Sequence, residues 1–401
     1  MDLNLTDEQI QFEDSFRKFC LREIAPQVEA AEQSGVASST FEKLGSAGYL
    51  GLLHSECYGG QAASAVTAVL AQSILSYYCG STFFSTGASA GLFALPIKYA
   101  GSDAQKEKYL PSIISGASIG CLAVTEAGAG SDVSALQTTL RPLPGGGYRL
   151  DGQKAYITNA PTADYALVLA RLCRGPEIPK GPSSLTLCIV DLHGPGISRG
   201  KPLNKLGLRG SPTGELFFDG VEIAEESLLG RPGSGFRQTM QAFDWERLSM
   251  SAYCVGVMQA CMDESRRYSR QRKAFGRIIA KHQSVAFMLA DIKTRLQASR
   301  LMLMETAWLF DRAAGAPRIT HNGRTIEITA RASELKLMTS QYARECTNLA
   351  VQIHGGAGYM EEFKVARLYR DIKIAEIGGG TSEIQKQIVA RSEARHRRKA
   401  G

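Results

Sequence analysis

Among 401 residues there is no Cys-x-x-Cys pair, no internal repeat, and no apolar run approaching the roughly 20 residues a membrane helix needs. The nine cysteines are odd in number and scattered, which fits reduced thiols better than a disulfide scaffold. Met1-Asp2-Leu3-Asn4-Leu5 leads straight into an acidic amphipathic pattern, without the basic and apolar regions of a secretory signal. A soluble, cytoplasmic protein with no membrane span is the expectation. Excess charge is also scarce. Of the net +7, residues 391–401 supply +4, from Arg391, Arg395, Arg397, Arg398 and Lys399 against Glu393. A body of only +3 gives no footing to a nucleic-acid partner, and the basic end reads as solvated or as attraction to an acidic carrier.

What is present is ordinary globular material, 44% hydrophobic and 21% charged, in a chain long enough for two or three domains. Thr6-Asp7-Glu8-Gln9 is a capping box opening a helix over 6–32, and helical patterns follow at 40–47, 63–79, 92–99 and 105–113. The texture changes near Ile119. Short β-rich segments at 121–125, 137–141, 148–150, 154–157, 165–171, 185–191 and 215–223 alternate with turn signals such as Pro144-Gly145-Gly146-Gly147. Their spacing predicts a compact antiparallel β-domain or barrel, with an exposed loop at 174–184. Helical patterns return at 236–273, 282–314, 324–353, 363–374 and 381–398. The expected fold class is α+β: a helical domain (1–117), a β-domain (118–232) and a helical bundle (233–401).

The segment 236–273 contains no proline and one glycine, Gly256, and places Leu248, Ala252, Val255, Met258 and Met262 on one helical face. It carries Asp244-Trp245-Glu246-Arg247 near its start and Arg272-Lys273-Ala274-Phe275-Gly276 at its end. At 1.5 Å per residue, Glu246 and Arg272 lie roughly 39 Å apart on a continuous helix. One helix cannot bring both clusters to one site. If both are used they serve two sites, the second completed by a neighbouring subunit.

Other motifs stand in order along the chain. Val124-Thr125-Glu126-Ala127-Gly128-Ala129-Gly130-Ser131-Asp132 follows a strand and offers small residues whose backbone can approach a flat ring or a phosphate. After it come Lys154-Ala155-Tyr156-Ile157-Thr158-Asn159-Ala160, Gly207-Leu208-Arg209-Gly210-Ser211 and Phe218-Asp219-Gly220-Val221. Beyond the long helix lie Gln283, then Gln352-Ile353-His354-Gly355-Gly356-Ala357-Gly358-Tyr359, then Gly380-Thr381-Ser382-Glu383-Ile384-Gln385. The ordered set, on a helix–strand–helix plan, resembles the acyl-CoA dehydrogenase family over essentially the full chain.

The resemblance implies FAD held between the domains of a homotetramer or homodimer, with an electron-transfer flavoprotein as electron acceptor. Thr125, Ser131, Tyr156 and Thr158 match positions lining the flavin ring and its ribityl-phosphate end, Ser131 also facing substrate. Thr381 and Glu383 match further contacts to the same FAD. Arg272, Phe275, Gln283, Gln352, Gly355 and Gly356 match positions that grip the adenine and pyrophosphate of the neighbouring subunit's FAD. The implied chemistry is α,β-dehydrogenation of an acyl thioester, which needs a carboxylate near the α-carbon and donors to the thioester oxygen.

Here the chain departs from much of that family. Many members carry the base just before the late Gly-Thr, where Gly379 stands in Ile377-Gly378-Gly379-Gly380-Thr381. Isovaleryl-type members carry it on the long helix in a Glu-Arg context, which Glu246 matches. Glu246 is therefore read as base, with the backbone N–H of Gly379 donating to the thioester oxygen and with Asp244 and Arg247 holding the pantetheine arm or the base. His354 reads as a turn residue, and Trp245 as either acyl-pocket wall or core. Short or branched acyl-CoA is the first substrate reading. A carrier-protein-tethered acyl or prolyl thioester is the second, since the Asn159-Ala160-Pro161 context looks similar to that of prolyl-carrier-protein dehydrogenases. A flavin monooxygenase on the same scaffold, or a non-catalytic paralogue, are the remaining alternatives.

Overall fold

A computed structural model describes residues 4–400, with side chains to Arg395. Met1-Asp2-Leu3 and the tail side chains of Arg397, Arg398 and Lys399 lie outside the described set. The capping box forms as read, with Gln9 N–H donating to Thr6 Oγ1 at 3.2 Å and Thr6 N–H to Gln9 Oε1 at 3.1 Å. It opens α1 (Asp7–Phe19). The expected single helix does not run on to residue 32. It passes through a π turn at Cys20–Ile24 and a 3-10 turn carrying Pro26 before α2 (Val28–Ser34), because proline cannot donate within a helix. Next come α3 (Ser38–Ser46), α4 (Ala65–Tyr78), α5 (Gly80–Thr86), α6 (Ala94–Ala100) and α7 (Asp103–Ser115). A second π turn, Gly87–Phe93, joins α5 to α6.

Seven strands follow: β1 (Gly120–Ala123), β2 (Thr139–Pro142), β3 (Tyr148–Thr158), β4 (Tyr165–Leu172), β5 (Leu185–Asp191), β6 (Ile197–Arg199) and β7 (Thr213–Ile223). They form one sheet in the order β1-β4-β2-β3-β7-β6, with β5 on the other edge of β4. The sheet is mixed rather than wholly antiparallel. β1 and β2 both run parallel to β4 and share one of its edges, at opposite ends. The expected segments 148–150 and 154–157 are one strand, interrupted by irregularities in its pairing with β7 between Leu150 and Gly152 and between Lys154 and Ile157. Gly120 N–H donates to Ser89 Oγ at 2.9 Å and Asn159 Nδ2 to the Ser85 carbonyl at 2.8 Å, which fastens the sheet to the π turn and to α5.

The long helix is α8 (Gly235–Gln271), 37 residues without a break. The face read from the sequence, from Leu248 to Met262, is buried, but so are Tyr253, Cys254, Val257, Ala260 and Cys261 around it. A helix apolar on all sides is a core helix. Its shell is α4, α9 (Gln283–Ala313) and α10 (Ile328–His354), with α11 (Lys364–Asp371) and α12 (Ser382–Ala400) completing the bundle. Two hairpins interrupt the helices: β8 (Lys273–Ala274) with β9 (Arg277–Ile278), and β10 (Arg318–His321) with β11 (Arg324–Glu327). Residues 324–327, expected in a helix, are the second arm of the latter. Among the described residues no helix is long and apolar enough to cross a membrane.

Gly256 is where α8 meets α4. A Cβ there would lie 2.1 Å from Ser76 Oγ and 2.2 Å from the Ser73 carbonyl oxygen. Gly256→Ala is expected to destabilise the protein by about 3 kcal/mol, the upper part of the range for overpacked cores. A thermal melt reads this directly. An unchanged midpoint would mean that the two helices separate freely at this crossing.

Candidate functional site

Two of the expected residues meet although 133 positions separate them in the sequence. Glu246 stands on α8 and Gly379 in the turn between α11 and α12. A Cβ built on Gly379 would lie 3.3 Å from Glu246 Cδ and 3.5 Å from its Cγ and Oε2. The glutamate carboxyl thus reaches the space beside the Gly379 Cα. Gly379 has φ +65° and Gly380 φ +91°, a left-handed pair that side-chain-bearing residues adopt only with strain. Gly379 N–H meets no protein acceptor among the described residues. Burial raises the Glu246 carboxyl above its usual value, opposed by the charges of Arg247 and Lys336.

Asp244 and Arg247, one helical turn apart, bond to each other through Arg247 Nη1 and Asp244 Oδ1 at 2.5 Å. Asp244 Oδ2 also accepts from Thr329 Oγ1 of α10 at 2.8 Å. Arg247 is 3% exposed, and burial raises the Asp244 carboxyl despite its partners. The pair therefore braces the helix turn that presents Glu246. Arg247→Leu leaves Asp244 facing the interior without its cation. Losing one partner of a buried pair costs about 3–5 kcal/mol, so a clear fall in the thermal midpoint is expected. A parent-like midpoint would show that water already screens the pair. Trp245 packs edge-on to Phe310, with ring centroids 6.3 Å apart. Its Nε1 also lies 3.5 Å from where a Gly91 Cβ would stand. The π turn that carries Gly91 thereby lies against the helix beside Glu246 and also against β1.

The loop after β1 is held from beneath. Glu126, 7% exposed, accepts from Gln137 N–H (2.6 Å), Thr138 N–H (2.9 Å), Thr138 Oγ1 (2.6 Å) and Lys154 Nζ (2.9 Å). Lys154 Nζ also donates to the Val124 carbonyl at 3.0 Å. Burial alone would raise Glu126, but the Lys154 charge and these donors hold it below the usual carboxylate range, while burial pulls Lys154 down to about 8. Both residues stand inside sequence motifs, but nothing in the local pattern marks either as buried or paired. Their ion pair anchors the loop while Gly128, Gly130 and Ser131 face outward. A Cβ on Gly128 or Gly130 would meet nothing within 4 Å, and the N–H groups of Gly130 and Ser131 have no protein acceptor among the described residues. Thr125 and Thr158 are half-buried at the ends of β1 and β3. Tyr156 stands at the second irregularity of β3, with φ +59° and 66% of its surface exposed. An open loop with free donors beside a projecting aromatic ring fits the flavin that the resemblance implies. Thr381 Oγ1 accepts from Ile384 N–H at 3.4 Å, capping α12, and Glu383 is exposed in the first turn of that helix.

The remaining expected residues lie at the far end of α8. Arg272 closes that helix, and Phe275 (φ +52°) and Gly276 (φ +78°) form the tip of the β8–β9 hairpin. Phe275 is 96% exposed. Arg272, Gln283, Gln352, Gly355 and Gly356 are exposed too, and a Cβ on either glycine would meet nothing within 4 Å. Gly355, at φ +60° and ψ −136°, ends α10 in a conformation open mainly to glycine. His354 is 5% exposed and stacks on Tyr268 at 4.3 Å, with Nδ1 2.8 Å from the Ala350 carbonyl oxygen. It packs inside the turn.

Lys336 was missed. It is fully buried on α10, and its Nζ donates to the Gly380 carbonyl at 2.7 Å. Flanked by Leu335 and Leu337 in a helical pattern, it carries no mark in the sequence that separates it from a surface lysine.

Similarity to known proteins extends over nearly the whole chain. Models of the acyl-CoA dehydrogenase N-terminal, middle and C-terminal domains match residues 6–117, 121–221 and 233–394. The probable acyl-CoA dehydrogenase YngJ of Bacillus subtilis is 37% identical over 393 residues, 98% of this chain and 99% of that protein. The mitochondrial isovaleryl-CoA dehydrogenase of Oryza sativa subsp. japonica is 36% identical, covering 96% of this chain and 91% of its own. The structure of butyryl-CoA dehydrogenase from Megasphaera elsdenii superimposes with a TM-score of 0.91 at 33% identity, over 98% of this chain and 100% of that one. Three domain matches in order, on this fold, establish that the chain belongs to the acyl-CoA dehydrogenase family of FAD-dependent oxidoreductases.

Proposed function

We propose that this enzyme dehydrogenates a short or branched acyl-CoA, with the Glu246 carboxylate removing the α-proton. The observation that supports this most strongly is the carboxyl of Glu246 lying beside Gly379, the position where many relatives carry their base. Bound oxidised FAD supplies the two-electron acceptor for the β-hydrogen. The α-proton goes to Glu246, and the β-hydrogen leaves with its electron pair, so the thioester becomes its 2,3-enoyl form. Negative charge gathers on the thioester oxygen as the α-proton departs. The unpaired Gly379 N–H is the donor placed to meet it. Burial raises the Glu246 carboxyl and so makes it a stronger base than an exposed carboxylate.

Thr125, Ser131, Tyr156, Thr158, Thr381 and Glu383 hold the flavin end of the cofactor in this reading. The exposed group Arg272, Phe275, Gln283, Gln352, Gly355 and Gly356 holds the adenine end of a neighbour's FAD, so the working unit is a homodimer or homotetramer. Two facts support that division: the length of α8 and the full exposure of Phe275 at the hairpin tip. Electrons then pass to an electron-transfer flavoprotein, in the cytoplasm. The test is anaerobic bleaching of the bound flavin by a panel of acyl-CoAs and the same acyl groups on carrier proteins. Fast bleaching by a short or branched acyl-CoA is the expected result. Bleaching by carrier-bound acyl or prolyl groups alone would transfer the reaction to a biosynthetic carrier, and no bleaching without oxygen would overturn it.

A further inference from the structure

Resting on that reading, we infer that Lys336 is a positioning residue for proton abstraction, holding the Gly379–Gly380 turn and keeping a fixed positive charge beside Glu246. Two fully buried side chains grip this turn. Lys336 Nζ of α10 donates to the Gly380 carbonyl at 2.7 Å, and Gln385 Nε2 of α12 donates to the Gly379 and Gly380 carbonyls at 3.0 and 2.8 Å. With both carbonyls drawn inward, the Gly379–Gly380 and Gly380–Thr381 peptide planes are fixed, and the Gly379 N–H that precedes them has no protein acceptor among the described residues. The Glu246 carboxyl also borders the turn, 3.3 Å from a Cβ position on Gly379. Lys336 and Glu246 therefore touch the same two-residue turn.

A neutral donor would satisfy the Gly380 carbonyl equally well, so it is the charge that needs a reason. Buried cations are normally paired with a carboxylate. Among the described residues Lys336 has none within ion-pair distance, although Arg247 nearby is committed to Asp244. The charged and titratable groups around Lys336 are Glu246, Arg247 and Cys254 of α8 and Glu376 of the 3-10 turn after α11. Glu376 is itself bound by Arg344 at 3.0 Å and Lys373 at 2.6 Å. That leaves Glu246 as the carboxylate with no ion-pair partner of its own near the ammonium. Burial lowers Lys336 to about 8, so it stays charged at neutral pH. Its field favours the ionised form of Glu246, which burial disfavours. The resting base is thus kept deprotonated without a direct contact that would block it from substrate.

The test uses the FAD-loaded full chain and the acyl-CoA that bleaches its flavin fastest. Lys336→Met removes charge and donor, Lys336→Gln removes the charge and keeps a donor of shorter reach, and Lys336→Arg keeps the charge. In both neutral variants the acid limb of the kcat/KM profile is expected to move to higher pH, roughly tenfold or more of rate being lost at pH 6 and much less at pH 9. KM is expected to change little, and Lys336→Arg to return the limb toward the parent. Glu246→Gln, run alongside, separates the two claims. If it is inactive while the neutral Lys336 variants keep the parent's acid limb, the tuning role is wrong and the base stands. If Glu246→Gln is active, the base reading itself fails. If both neutral variants fail to fold while Lys336→Arg behaves as the parent, the cation serves the fold, and the inference is overturned.

Discussion

Glutamine in place of Glu246 is expected to slow flavin reduction by acyl thioester about 10²–10⁴-fold, the range for loss of a general base. FAD content and oligomer size should not change. The amide has nearly the same shape as the carboxyl, so the contact with Gly379 survives, but it cannot accept the proton. The pH dependence of the parent carries a matching signature. Burial raises Glu246 above its ordinary value, and Arg247 and Lys336 only partly offset this. The acid limb of kcat/KM should therefore lie above 4.5, the rate rising with pH as Glu246 ionises. Stopped-flow reduction across pH reads both effects. Parent-rate reduction by the Gln variant would require another base.

Alanine at position 379 is expected to cut kcat by about 100-fold, with a smaller change in KM. A left-handed residue with a Cβ costs roughly 1–2 kcal/mol, and Gly379 has φ +65°. The added methyl would also stand 3.3 Å from Glu246 Cδ, tighter than carbon atoms normally pack, so the carboxyl must give way. A displacement near 1 Å at a reacting group can cost about 10² in rate, and the shift of a few tenths of an ångström needed here adds to the backbone strain. Steady-state kinetics with the preferred acyl-CoA checks this. A Gly379→Ala enzyme with the parent's kcat would mean that the carboxyl need not sit where it does.

The parts of this arrangement legible in the sequence were those written in local pattern. The unbroken run of α8 announced a helix too long for both its charged ends to share a site, and Thr6 with Gln9 marked the start of α1. An empty side chain at 379 and a glutamate at 246 could be set side by side only through resemblance, because no local pattern connects residues in α8 and a turn after α11. The π turn at Gly87–Phe93 was missed where Gly87-Ala88-Ser89-Ala90-Gly91 offers no apolar period. The parallel pairing of β1 with β4 depends on which strands meet after a crossover, which period-two alternation does not specify. β3 was split at Asp151-Gly152-Gln153, where polar residues and a glycine interrupt the β-formers and the pairing with β7 slips between Leu150 and Gly152. Lys336 and Lys154 were passed over for one reason: burial of a lysine is a property of what packs on it, and a helix or strand carries the same letters whether that neighbour is water or protein.

The most direct measurement is exchange of the α-proton. The FAD-loaded enzyme is incubated in heavy water with an acyl-CoA whose β-carbon cannot release hydride, and deuterium at the α-carbon is followed by mass spectrometry. The parent should label the α-position, and Glu246→Gln should label it no faster than protein-free buffer. Labelling by that variant at the parent rate would contradict the assignment of Glu246 as the base.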